Sequence, residues 1–124
     1  MFNLFKVPFA PSSSSLEGQP KIIGYASTFQ FVPKGEPLPA VASSSERGIP
    51  PGTHWVDWTQ PDTIVLVDQP EGQRCAALGG IMASRMKMIG AKAVLVNGRI
   101  RDLAELRSCG LPVSILCFSF KISL

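Results

Sequence analysis

The chain has 124 residues, 45% of them hydrophobic and 17% charged, with a formal net charge of +3, the profile of one globular domain rather than of a disordered or fibrous chain. Its twelve lysines and arginines are scattered, with no basic block and no interleaved aromatics, which argues against nucleic-acid binding, and no apolar run approaches the roughly 18 residues of a membrane span. Three cysteines, Cys75, Cys109 and Cys117, make neither a CxxC pair nor a zinc-ligand spacing with the single His54, so a reducing, cytoplasmic setting is expected.

The opening residues 1–10 are apolar but short, interrupted by Lys6 and Pro8 and without a basic start, and they read as a segment that is not cleaved. Residues 11–20, with serine at positions 12 to 15, have linker composition. Residues 1–20 are therefore expected to be a flexible N-terminal segment, with folding from Lys21. Between Ile22 and Val32, the residues Ile23, Tyr25, Ser27, Phe29 and Phe31 alternate with Gly24, Ala26, Thr28 and Gln30, which predicts a strand ended by Pro33. Prolines, glycines and serines then make a long loop to Gly52, a length that suggests a ligand-covering segment or a hidden helix.

His54 to Trp58 reads as a short helical turn before Pro61, with Trp55 and Trp58 packing on the core, and Ile64 to Val67 as a short buried strand. Gly79 or Gly80 opens a helix through Ile89, in which Ile81, Met82, Arg85, Met86 and Ile89 fall at helical spacing and Gly90 is the stop. Ala93 to Val96 is a second buried strand, followed by the turn signal Asn97-Gly98. Asp102 can cap a further helix, Leu103 to Cys109, with Glu105 in its first turn and Gly110 as its end. Strand, helix, strand, helix is an α/β order.

The chemistry concentrates in Gly79-Gly80-Ile81-Met82, Arg101-Asp102 and Glu105. Paired glycines let backbone N–H groups at a helix start approach a carboxylate or phosphate. Arg101 can grip the same anion in bidentate fashion, and Asp102 offers a hard oxygen to a divalent cation. Each part has a plainer reading: two glycines also serve tight packing, and an Arg-Asp pair is often a helix cap beside a solvated guanidinium. The combination favours a ligand site, because both parts follow the C-terminal ends of predicted strands, where open α/β sheets place ligands. The phosphate-loop and dinucleotide glycine patterns are both absent. His54 reads as a surface histidine, Met82 and Met86 as core filling, and Glu71 and Arg74 as flanks of a glycine-containing loop just before the site.

Gly80, twenty intervening residues, Arg101-Asp102, two more residues and Glu105 resemble the signature of the RraA-like family, which includes 4-hydroxy-4-methyl-2-oxoglutarate aldolases and oxaloacetate decarboxylases. Gly24 to Thr28 resembles that family's G-x-A-x-T strand, residues 90–102 resemble its G-x-x-G-V-V-x-D-G-x-x-R-D segment, and Leu111-Pro112-Val113 the start of its L-P-V strand. The wording from His54 to Pro70 is most similar to fungal members. The resemblance implies an RraA-like swivelling β/β/α-type sandwich and a divalent-metal-dependent lyase acting on small 2-oxo acids such as 4-hydroxy-4-methyl-2-oxoglutarate or oxaloacetate. It implies that Gly79, Gly80, Ile81, Met82 and Arg101 bind the substrate, with Arg101 and Asp102 catalytic. Asp102 would hold Mg²⁺ or Mn²⁺, Glu105 would act on that metal through a water, and the assembly would be a trimer-type homo-oligomer.

The sequence also departs from the family. Residues 1–20 lack its opening motif, and the apolar tail at 114–124 resembles none of its segments, so a partial domain over residues 21–113, incomplete at the C-terminus through truncation, is expected. Such a chain is expected to keep half of an active site with weak or no catalysis. A non-catalytic regulator of ribonuclease activity that binds protein is the alternative, and a fragment without a stable fold is the third possibility.

Overall fold

The computed structural model describes residues 22–37, 49–50 and 52–116. The expected N-terminal segment and the middle of the long loop lie outside them, as does the tail beyond Leu116. The described elements are β1 (Tyr25–Gln30), a 3-10 turn (Trp55–Trp58), β2 (Thr63–Asp68), α1 (Gly80–Ile89), β3 (Ala93–Asn97), α2 (Leu103–Ser108) and β4 (Val113–Ile115). No described helix is long and apolar enough to cross a membrane.

The four strands form one parallel sheet whose spatial order, β1-β2-β3-β4, is also the order along the chain. β2 and β3 are nearly continuous apolar runs, as parallel strands covered on both faces tend to be. They pair in a register that sets Val65 against Val94 and Val67 against Val96. One face presents Val65, Val67, Val94, Val96 and Val113 to Ala83 and Met86 of α1 and Leu106 of α2, the main core. The other face gathers Ile64, Ala93 and Leu95, with Ile22 and Leu66 packed against them. The α/β order read from the sequence thus stands as a mixed α/β fold with both described helices on one sheet face.

Several expectations shift in detail. β1 starts at Tyr25, not Ile22: Ile23 and Tyr25 are exposed, and only Ser27 and Phe29 of the strand are half-buried. The alternation survives where it has a partner, since Phe29 and Phe31 both meet Trp55 edge-on, at centroid distances of 5.1 and 5.4 Å. Trp58 does not pack on the core; it is exposed, its indole N–H donates to Thr53 Oγ1, and Val56 is the buried residue of that turn. The turn starts from exposed His54, whose Nδ1 accepts from the Val56 N–H.

Helix α1 has the predicted ends, with Gly79 at its N-cap and Gly90 at φ 109 closing it. Its buried face differs from the apolar spacing. Gly80, Ala83 and Met86 face inward while Ile81 is 88% exposed, and at Gly80 the approach of Glu105 leaves no room for a side chain. Met82 and Met86 do fill the core, and Met88 is exposed.

Candidate functional site

Beyond β2 and β3 the chain makes one further parallel contact, a bridge between Leu78 and Ile100. Ala77 N–H donates to Arg99 O at 2.7 Å, and Arg101 N–H donates to Leu78 O at 3.0 Å. This pairing draws the glycine turn and the Arg101-Asp102 pair together at the C-terminal edge of the sheet. Leu78 is fully buried and Ile100 packs on the same core, so both strands of the bridge are anchored from below.

The sequence-predicted residues meet closely. Asp102 Oδ2 accepts from the Gly80 N–H at 3.2 Å and lies 3.6 Å from Arg101 Nε. A Cβ on Gly79 would stand 2.8 Å from Asp102 Oδ2 and 3.1 Å from Arg101 Nε, and one on Gly80 would collide with the Glu105 Cβ. Gly80 is therefore required by close approach, Gly79 is crowded only by the ends of the Arg101 and Asp102 side chains, and the packing reading of the pair holds at Gly80.

Asp102 departs from its expected role. It stands at the N-cap position of α2 but makes no side-chain cap bond there. Its backbone is left-handed, φ 61 and ψ 50, which turns the carboxylate away from α2 and onto the first N–H of α1. Asp and Asn tolerate that conformation better than most residues. The carboxylate thus holds the anion position at the positive end of α1.

Ile81 and Met82 diverge: Ile81 projects into solvent, whereas Met82 packs against the core. Glu105 is exposed on the first turn of α2, beside Gly80. Among the described residues no three His, Cys, Asp or Glu side chains converge as a metal cluster. Asp102 and Glu105 supply two carboxylates, a donor set that suits Mg²⁺, which keeps several waters and takes one or two protein carboxylates. These residues fit a hydrated divalent cation and not a dehydrated all-protein cage.

Sequence reasoning missed the concave surface next to this cluster. A cleft of about 600 Å³ is lined by residues 69–74 and by Asn97, Gly98 and Arg99, but not by Gly79, Arg101 or Asp102. Its floor is tied by Gln69, whose Oε1 accepts from Arg99 N–H at 3.0 Å and whose Nε2 donates to Cys75 O at 2.9 Å. Gly98 is required here, since a Cβ on it would lie 2.7 Å from that of Gln69. The clustered residues and the cleft are neighbours rather than one cavity, and the close-range geometry of Gly79, Gly80, Arg101 and Asp102 is the better guide to chemistry.

A parallel sheet with helices on one face defines an α/β domain, and past its strand ends it carries a glycine turn, an arginine and two carboxylates. The chain belongs to the RraA-like family: that family's sequence model, Aldolase/RraA, matches residues 7–121. Among curated proteins it is similar to "Putative 4-hydroxy-4-methyl-2-oxoglutarate aldolase 2" of Arabidopsis thaliana, 38% identical over 53 residues, which are 43% of this chain and 32% of the relative. The "Putative 4-hydroxy-4-methyl-2-oxoglutarate aldolase" of Burkholderia multivorans (strain ATCC 17616 / 249) is 36% identical over 53 residues, again 43% of this chain and 32% of the relative. The match thus spans about a third of each curated relative. Among solved structures, Streptomyces coelicolor RraAS2, described as an unusual member of the RNase ES inhibitor RraA protein family, aligns with a TM-score of 0.53 and 23% identity over 81% of this chain and 46% of its own. That likeness supports the fold.

Proposed function

We propose that the chain is the core of a divalent-metal-dependent lyase, an aldolase or decarboxylase, that acts on small 2-oxo acids in the cytoplasm and assembles as a homo-oligomer. The observation that carries this reading is the convergence of the Gly80 N–H, Arg101, Asp102 and Glu105 at one edge of the sheet. Family membership and the names of the two curated relatives support the substrate class.

The backbone N–H groups at the start of α1 and the Arg101 guanidinium bind the carboxylate of the 2-oxo acid and fix its orientation. Asp102 and Glu105 would hold Mg²⁺ or Mn²⁺, Glu105 through a water, and such an ion would supply Lewis-acid stabilisation of the negative charge that C–C cleavage develops. For oxaloacetate the bond between C3 and the distal carboxylate breaks, CO₂ departs, and the enolate takes a proton from solvent to give pyruvate. No covalent nucleophile is needed. Substrate entry requires Asp102 to release the Gly80 N–H, so one carboxylate replaces another at the helix end.

The test is pyruvate release from oxaloacetate by the purified chain with Mg²⁺, and then with excess chelator, against the metal-catalysed background. Release above background that the chelator abolishes supports the reading, and Asp102→Ala is expected to remove it. Unchanged activity in that variant would show that Asp102 is not the metal ligand. A second reading, a non-catalytic protein-binding regulator of ribonuclease activity, draws on a different observation. Ile81 and Met88, seven residues apart on α1, are 88% and 80% exposed, an apolar pair suited to protein contact. Capture of a ribonuclease by the Asp102→Ala variant as well as by the parent chain would favour it.

A further inference from the structure

The cleft beside the proposed site holds two arginines that the chemistry above does not use. Arg74 and Arg99 both line it and both are exposed. Among the described residues neither guanidinium is paired with a carboxylate, although Glu71 lines the same cleft. The amides below them are already committed: Asn97 Nδ2 donates to Asp68 Oδ1 at 2.7 Å, and both ends of the Gln69 amide are bonded. Two guanidiniums with donors to spare over a fixed amide floor form a receptor for a carboxylate.

Its position relative to Arg101 gives the cleft its meaning. Residues 99–101 run extended through the Leu78–Ile100 bridge. Side chains alternate along such backbone, so Arg99 and Arg101 share one side while Ile100 turns to the core. Two extended residues span about 7 Å between Cα atoms, close enough for the long side chains of both arginines to reach one small diacid. We propose that the cleft is the subsite for a second substrate carboxylate, with Arg74 and Arg99 selecting dicarboxylic over monocarboxylic 2-oxo acids. This rests on the reading of Arg101 and the start of α1 as the place of the first carboxylate.

Calorimetric titration of the full chain, in Mg²⁺, with 2-oxoglutarate and with 2-oxobutyrate tests it. The parent chain is expected to bind the diacid about tenfold or more tightly than the monoacid, the value of one charge-assisted contact. The Arg74→Gln/Arg99→Gln double variant should bring the diacid to the level of the monoacid and leave the monoacid unchanged. Arg74→Lys/Arg99→Lys, which keeps the charge, should retain part of the preference. A preference that survives the glutamine double variant, or its absence from the parent chain, overturns the proposal. Arg101→Gln separates the two readings. If it weakens both acids while the glutamine double variant changes nothing, the cleft assignment fails and the Arg101 assignment stands. If it is silent while the double variant abolishes diacid binding, the cleft stands and the Arg101 assignment fails. Binding of neither acid to a parent chain with an intact circular dichroism spectrum overturns both.

Discussion

Asp102 has an observed role and a proposed one, and they can be separated at the level of the side chain. Its carboxylate satisfies the first N–H of α1 from across the site, and its left-handed backbone is what lets it reach there. Asparagine tolerates that backbone and keeps an acceptor oxygen, but it brings no charge to a cation. Asp102→Asn is therefore expected to melt within about 0.5 kcal/mol of the parent chain and to lose all chelator-sensitive lyase activity; urea titration and the pyruvate assay read the two separately. Gly80 is constrained more simply. Its α-carbon faces the Glu105 Cβ with no room for a methyl group, so Gly80→Ala must push α1 from α2 and is expected to cost about 1–3 kcal/mol. A urea midpoint equal to that of the parent would show that the two helices can part freely. Glycines 79 and 80 stood out in the sequence as a candidate site. That Gly80 is also the contact point of two helices was not legible, because a close approach between segments over twenty positions apart leaves no local pattern.

At the scale of the element, α1 shows what spacing conveys and what it does not. Both ends were readable, since glycine at a helix start and a left-handed glycine at its close are written in single residues. The buried face was not, because counting apolar residues favours Ile81 and Ile89, whereas a helix pressed on a sheet buries what is small enough to fit, here Gly80 and Ala83 with Met86. The consequence is measurable within one helix. Met86→Ala, at a fully buried position, is expected to cost about 2–5 kcal/mol, whereas Met88→Ala, 80% exposed, should stay within about 0.5 kcal/mol. Equal losses would mean that the helix is rotated from its described face. The 3-10 turn makes a parallel case. Its two tryptophans are three apart and look equivalent in sequence, yet Trp55 sits between Phe29 and Phe31 and Trp58 faces solvent. Iodide should quench the emission of a Trp55→Phe variant strongly and that of a Trp58→Phe variant weakly.

For the molecule as a whole, one core joins residues from β2, β3, β4, both helices and the 3-10 turn. Unfolding is accordingly expected to be a single transition, with far-ultraviolet dichroism and tryptophan emission coinciding in urea; separated midpoints would show that part of the sheet melts alone. β2 and β3 were legible because buried parallel strands are written as apolar runs, Thr63–Asp68 and Ala93–Asn97, whereas β4 runs into residues 114 and 115, which were expected to lie outside the domain. The cleft was not legible, because Gln69 and Arg74 belong to no motif, Arg99 stands at an unspecified position of one, and they meet only through the pairing of two loops. The four described strands also show no reversal of strand order of the kind at which many open α/β proteins bind ligands, and the candidate site instead lies where two adjacent strands run on into paired loops. That unbroken order has a consequence for biosynthesis. Each strand docks on the edge left by the strand made just before it, so during translation the sheet can grow one strand at a time as the ribosome releases it, and no described strand has to wait for a later segment to be inserted between its neighbours.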